Sequence, residues 1–566
     1  MTHTIHLHPR TAVRILHAAV FLLLCCFLSE SRAQTGPLPV CDWFRFSRDL
    51  QTGQPDMHGD TIGGTEVMWI VSHKGKLHSA TSYWNNTDYH GPQMIRKDAH
   101  NAPWVVEHTF PPNVVRNDAL NSFVFTRDRY GNTLNPPDTL LIASFMTLPI
   151  GNDRNIRIWT RDDDAGAWIP SANIDTNRNV QDSYIRSFTF HTDAVTGMEY
   201  IFAGGSNGKL YKGSYDASLP NRIYWDALPE IVMGSGERFH SGAVCNGRLY
   251  VSGGRNIQTP EEGGVYLRID GVNPSWKRVY VFPEGNNQSM RALTAVPDPL
   301  NPSSQVLVGT REIAGVIERI VPMPDDTVQV MLEMDVRQSF TTTWGGLGGQ
   351  VAIAAYNRLD EGADPTTGEA VWFLGMNIKH PNPSGTPEAN NAYTLVRDVT
   401  GKYSLCMVVD SSILVPPGVG LKSVRTVQRS PFPEDSGRVY YFGGFDGANG
   451  PHRNTAWIYK GIVPRPVPTV ADRHAIPLQG ALRQNIPNPF HDNTVISYDI
   501  PTASHVLLRV YDAMGKCVAT LVDGYVTPGT HQVRLTARDF PQAAGLLFYQ
   551  LIHGNEIETR KMMVRR

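Results

Sequence analysis

Cysteine is scarce in this chain: 6 in 566 residues. Two of them, Cys25 and Cys26, lie in a stretch that reads as a leader. The other four, Cys41, Cys245, Cys406 and Cys517, are far apart and form no C-x-x-C pair. That spacing excludes a zinc knuckle and a thioredoxin-like site, and it leaves any disulfide pairing open. Single buried structural cysteines are the expectation. Charge is scarce too: 18% of residues, with a net charge of −2. There is no bulk electrostatic case for nucleic acid or for an anionic membrane surface. Beyond position 33 no apolar run approaches the roughly 20 residues of a membrane span. Amphipathic helical periodicity is nearly absent. The usual catalytic signatures are missing as well. Ser241-Gly242 lacks a G-x-S-x-G context, and no Walker loop, H-E-x-x-H or dinucleotide fingerprint occurs. Asp162-Asp163-Asp164 lacks the D-x-D-x-D spacing of a calcium loop and reads as a solvated turn. No metal site and no cofactor are predicted, and nothing marks the chain as an enzyme.

What is present is β-structure. The 50 Gly, 40 Pro and 9% aromatic residues suit tight turns between short strands. Short β-rich runs recur at 66–72, 139–145, 199–203, 248–251, 305–308, 370–374 and 438–442. Four stretches begin a strand at an arginine: Arg186, Arg238, Arg291 and Arg425. Each precedes a second strand ending in glycine, as at Gly204-Gly205, Gly253-Gly254, Gly309 and Gly443-Gly444. The first intervals are 238 − 186 = 52 and 291 − 238 = 53. The third, 425 − 291 = 134, leaves room for two units if one is enlarged by insertions at 360–368 and 381–391. Arg116 opens a similar unit upstream, and another strand set lies at 66–110. Four-stranded units at a period near 50 residues predict an all-β chain built as a β-propeller over 40–461. About seven blades are expected, with six the next choice and two β-sandwiches the structural alternative. The last blade runs short after Gly461, and residues 42–46 are expected to complete it and close the ring.

The Gly-Gly strand ends, followed by Tyr and Trp, resemble kelch-type blades. That resemblance implies a propeller and says nothing of a ligand. At the N-terminus, Arg10 and Arg14 precede an apolar run at 18–28, and small residues before the Ala33–Gln34 bond fit signal-peptide cleavage. Residues 1–33 are therefore read as a signal peptide, with a retained anchor as the alternative. A lipobox is excluded because Cys25 follows Leu22–Leu24 and no small residue. Residues 462–481 form a Pro-rich linker, stiff at 463–469. From 482 to 566, six or so short strands predict a small immunoglobulin-like antiparallel β-sandwich. Asn488-Pro489-Phe490, Tyr511 before the turn at Gly515, Gly545 with Tyr549, and the basic-apolar end beginning at Lys561 resemble the type A sorting domain of the type IX secretion system of Bacteroidetes. The resemblance implies passage through the periplasm and delivery by the type IX machinery. The product is then secreted or attached to surface lipopolysaccharide at the outer membrane.

The arginines are the sharpest internal pattern. On first strands they would line a central channel and could offer bidentate contacts to an anion. Alternatively, each ties its blade to a neighbour's carboxylate. His240, after Arg238, is a lone channel candidate, with a satisfied structural histidine the leading reading. The leading functional expectation is a surface binding or scaffold module for a glycan or protein ligand. The alternative is a secreted hydrolase or lyase acting on polysaccharide.

Overall fold

The computed structural model describes residues 33–34, 38–83, 91–147, 156–172, 174–175, 184–234, 237–255, 263–283, 290–311, 314–336, 338, 351–353, 359–378, 392–408, 421–446, 454–464, 482–500, 503–512, 516–539, 545–553 and 556–564. The apolar leader run, most of the Pro-rich linker and the 381–391 insertion lie outside these residues.

The chain is all-β and folds as many small antiparallel sheets. Five come in chain order, each built from consecutive strands. They open with Glu66–His73, Val114–Arg127, Ile185–Thr192, Glu237–Cys245 and Arg291–Asp298. Tight turns join first to second strands where the sequence supplies residues tolerant of positive φ, such as Asn246-Gly247 (φ 50° and 75°). The sixth sheet has ten strands in two halves. One half contains Ala370–Ile378, Ala392–Arg397 and Tyr403–Val408. The other contains Leu421–Arg429, Val439–Asp446 and Ala456–Ile462. A single register pair, Asn377 with Ser423, joins them. Residues 360–363 are not an inserted loop: Asp360–Ala363 pairs with Ala370–Ile378.

The N-terminal segment joins the last half. Arg45–Gln51 pairs antiparallel with Ala456–Ile462, starting three residues (45 − 42) after the first residue of the predicted stretch and running past its end. Phe44, just before it, is buried against Phe373, Tyr440 and Phe442. Upstream again, Val40–Cys41 adds in parallel to Tyr403–Val408.

First strands of successive sheets pack on one another. Glu66–His73 meets Val114–Arg127, which meets Ile185–Thr192, then Glu237–Cys245, then Arg291–Asp298. One apolar cluster joins the fifth sheet to the sixth through Val296, Val306, Leu374 and Leu395. Leu421–Arg429 returns to Glu66–His73. The glycines ending second strands allow this approach. A Cβ at Gly204 would stand 2.9 Å from Phe239 of the next sheet, and one at Gly443 would stand 2.6 Å from Val67.

Residues 482–564 carry a separate apolar core around Phe490, Ile496, Leu508, Val510, Tyr549 and Met562. Asn493–Ile500 pairs with Gly529–Thr536, and Ser504–Tyr511 lies between Cys517–Val526 and Gly545–His553 in a four-stranded sheet edged by Glu556–Val564.

Candidate functional site

Each first strand carries a β-bulge near its start. Such an extra residue kinks a strand and re-aims side chains. In four strands the bulged pair stands opposite a glycine. Ile185-Arg186 faces Gly205, Phe239-His240 faces Gly253, Ala292-Leu293 faces Gly309, and Val424-Arg425 faces Gly444. Asn117-Asp118 bulges opposite Phe145 in the second sheet. The arginine-then-glycine pattern of the sequence is therefore the trace of a bulge and its partner.

The four predicted arginines occupy two registers. Arg186 and Arg425 are the second residues of their bulged pairs, whereas Arg238 and Arg291 stand just before theirs. Arg116 shares the position of Arg238 and Arg291. The four arginines, read from the sequence as equivalent strand-opening residues, therefore stand at two positions relative to their bulges. Both registers reach one place, since Arg186, Arg291, Arg238 and Arg116 all surround the buried His240.

That place is a buried polar cluster fed by six first strands. Arg116 donates to Asp118 at 2.5 Å, and Arg186 donates to the Tyr184 hydroxyl and stacks over its ring at 4.9 Å. Arg425 lies 3.5 Å from Glu66 and 5.0 Å over the Phe445 ring. Burial pulls Arg186 down to about 10, helped by Arg116 and Arg238 and resisted by Tyr184 and Asp118. It stays charged at neutral pH. Burial, with Arg186, Arg291, Arg238 and Arg116 around it, holds His240 well below the usual imidazole value, so the ring is neutral. His240 is thus a buried member of the cluster. Burial raises Glu66, although Arg425 and Arg116 pull it back. Arg116 is held above the usual guanidinium value: burial works against it, but Asp118, Tyr184 and Glu66 outweigh burial. The guanidinium groups of Arg116, Arg186, Arg238, Arg291 and Arg425 thus gather here with the carboxylates of Glu66 and Asp118. Two buried atoms, Glu66 Oε1 and Arg186 Nε, make no hydrogen bond among the described residues.

Ties between neighbouring sheets are made by other basic residues, on third strands. Arg161 pairs with Glu107 of the preceding sheet at 2.7 Å, and Glu107 also accepts from Trp168 Nε1 at 3.1 Å. Arg268, Glu230 and Trp276 repeat the arrangement, with both contacts at 3.0 Å. Arg397, Glu333 and Tyr403 do so with a phenol at 2.6 Å. Lys97, Asp49 and Trp104 make the fourth, at 3.2 and 2.6 Å. Sequence reasoning missed this network. Its signal is a cation followed six to eight residues later by Trp or Tyr: 104 − 97 = 7, 168 − 161 = 7, 276 − 268 = 8 and 403 − 397 = 6.

Asp162-Asp163-Asp164 does form the turn between Ile158–Asp162 and Ala167–Pro170, with Asp162 accepting from the amides of Asp164 and Ala165. Asp163 is drawn into ion pairs with Arg161, Lys74 and His73. Among the described residues no group of three or more His, Cys, Asp or Glu is placed to hold a metal.

Of the residues that suggested sorting, Asn488 and Phe490 meet the last strand, Glu556–Val564, at one edge of the C-terminal sheets. Asn488 Oδ1 accepts from the Met563 amide at 2.8 Å, and buried Phe490 donates its amide to Met563 O at 3.0 Å. Lys561 lies on the same last strand, opposite Phe548. Pro489 follows a cis bond. Tyr549 is fully buried, its hydroxyl donating to Arg483 O and accepting from Asn485 N. Gly545, at φ 111°, opens that strand, and Tyr511 ends Ser504–Tyr511. Gly515 lies outside the described residues. Ala33 precedes Gln34, which is docked: its amide donates to Glu333 O at 3.0 Å, and its side chain exchanges two hydrogen bonds with the Tyr403 backbone.

No protein-family profile matches this chain. Nor does any curated protein match it. Among solved structures, an α-L-arabinofuranosidase from Clostridium thermocellum is 12% identical at TM-score 0.26, covering 47% of this chain and 93% of its own. A GH43 β-1,3-galactosidase is 11% identical at TM-score 0.25, covering 73% and 94%. Another, with galactodeoxynojirimycin, is 10% identical at TM-score 0.23, covering 50% and 98%. Similarity this low assigns neither family nor chemistry to the chain.

Proposed function

We propose that the chain is an exported β-propeller that binds an anionic ligand on the end of the ring where its first strands begin. Counting the ten-stranded sheet as two blades gives seven. Its halves share only one register pair, and the last of its strands packs back on the first sheet. In this reading 462–481 is a linker, 482–566 is a type IX sorting domain, and 1–33 is a signal peptide cut before Gln34. The product is secreted or held at the outer-membrane surface.

The observation that carries the binding reading is the gathering of five guanidinium groups where the first strands begin. Guanidinium forks suit carboxylates, sulfates and phosphates. Acidic glycans are the ligands of first choice, a protein ligand the second.

The hydrolase or lyase alternative keeps one observation in its favour. His240 stands beside Arg186, which also contacts Tyr184, so an imidazole and a phenol lie together at the same strand starts. A panel of neutral, carboxylated and sulfated polysaccharides, scored for both retention and cleavage, separates the readings. Retention of acidic polymers alone is expected, weakening with salt. In Arg186→Ala or Arg238→Ala it should fall roughly 10-fold or more, as for loss of a charge-assisted contact of ~1.5–3 kcal/mol. Equal retention of neutral and acidic polymers would overturn the anion reading, and product release would favour the enzyme.

A further inference from the structure

We propose that Cys41 and Cys406 form a disulfide in the exported protein, a covalent latch between the N-terminal segment and the sixth sheet. Val40–Cys41 runs parallel to Tyr403–Val408 with Val40 opposite Leu405 and Cys41 opposite Cys406. The Leu405 amide donates to Pro39 O at 2.7 Å, which holds that register. Partners on adjacent strands lie about 4.8 Å apart, inside the roughly 4.4–6.8 Å Cα separation that a disulfide spans. Their side chains share a face and one apolar cluster, in which Cys406 is buried and Cys41 is packed at the edge. Cys41 first, and then burial, raises the Cys406 thiol well above an ordinary one, as its nearness in the register requires. The remaining described cysteines have other neighbours, Cys245 in the fourth sheet's core and Cys517 exposed in the C-terminal sheets.

The chemistry is thiol–disulfide exchange with a disulfide carrier. The more exposed Cys41, as thiolate, attacks a carrier sulfur to form a mixed disulfide and expel one carrier thiol. Cys406 then loses its proton, attacks Cys41 Sγ and releases the second. The chain loses two hydrogens and the carrier is reduced to its dithiol. The oxidising compartment rests on the export reading, whereas the pairing rests on register alone.

Two samples separate those supports. In the first, the full chain carrying Cys25→Ser and Cys26→Ser is oxidised while folded with oxidised glutathione, then digested without reductant. A peptide linking Cys41 to Cys406 is expected. Reductant should lower the thermal midpoint by roughly 3–8 °C, and Cys41→Ser should show the lower midpoint with or without reductant. Both thiols still titrating free, or Cys41 linked to Cys517, would overturn the pairing. The second sample is the chain recovered outside the producing cell. A linked pair there supports the whole proposal. A pair that links with glutathione but arrives free overturns the oxidation during export and leaves the register argument standing.

Discussion

Buried charge in this molecule is of two kinds, and single substitutions distinguish them. Glu333 accepts from Arg319 at 2.6 Å, Arg397 at 2.8 Å and Tyr403 at 2.6 Å, all buried. Replacing it with Gln leaves two guanidiniums in a low-dielectric site without their counter-charge. We expect a loss of ~3–5 kcal/mol, read by chemical unfolding. The surface pair Arg248–Asp326, as close at 2.6 Å but about a third exposed on both sides, should cost under about 1 kcal/mol when either member becomes Ala. Equal losses at the two sites would contradict the argument. The arginines of the central cluster should behave differently again, with binding lost before stability.

The same residues set the pH response. In Glu107 burial raises the carboxyl, but His78 and Arg161 hold it well below its ordinary value. In Glu333 burial is likewise outweighed, by Arg397 and Arg319. A carboxylate depressed in the folded state adds stability above its unfolded value near 4.5 and loses it as pH falls through the folded one. His78 and His240 are depressed by burial, so they favour the fold above about 6.5 and oppose it as pH drops below that value. Glu66 and Glu318, raised by burial, run the other way: their contribution is present below 4.5 and lost as pH rises through their folded values. Thermal midpoints should therefore decline gently below about pH 6.5 and steeply below about pH 4.5. A midpoint at pH 4 equal to that at pH 7.5 would count against the assignment.

At the scale of elements, Arg45–Gln51 matters most. It completes a sheet begun some 400 positions later in the chain (457 − 51 = 406). It also brings Asp49 to Trp104 Nε1 and Lys97 of the first sheet. One short strand thus joins both ends of the succession of sheets. Deleting residues 41–49 exposes an edge, removes the Phe44 ring that packs on Phe373, Tyr440 and Phe442, and strips Lys97 of its carboxylate. We expect the thermal midpoint of the whole 40–461 unit to fall by more than about 10 °C, as one transition in calorimetry. An unchanged midpoint would sink the closure. The glycines at second-strand ends belong to this scale too, because the close approach of the next first strand leaves no room for a Cβ.

At the scale of the whole molecule, the C-terminal sheets have their own core. They meet the preceding sheets at Arg429, which donates to Ala503 O at 3.4 Å and lies 6.0 Å over the Tyr525 ring. Deleting 482–566 should leave the ring's unfolding transition within a few degrees of the full chain's, while delivery outside the cell is lost. Unchanged extracellular amounts after the deletion would reject the sorting reading, and a collapsed transition would reject the independence of the two parts.

Local rules were enough to read the strands, the period near 50 residues, the glycine-ended second strands and the late change of pattern at 482. Alternation and turn chemistry act over a few residues, so they are written in adjacent letters. The arginines at the starts of first strands were legible for the same reason, as was an N-terminal strand seeking a partner. Three things depended on the tertiary structure. Bulges slip the register by one residue, and only paired strands reveal where the extra residue falls, which is why Arg186 and Arg238 differ in position yet meet. The convergence of Arg116, Glu66, Asp118 and His240 on those arginines is a matter of distance across sheets, and sequence separation hides it. The cations that tie sheets together, Lys97, Arg161, Arg268 and Arg397, find carboxylates that the preceding sheet supplies. Electrostatic pairing reads space and not order along the chain, so the residue types were visible in the sequence while their partners were settled only by the fold.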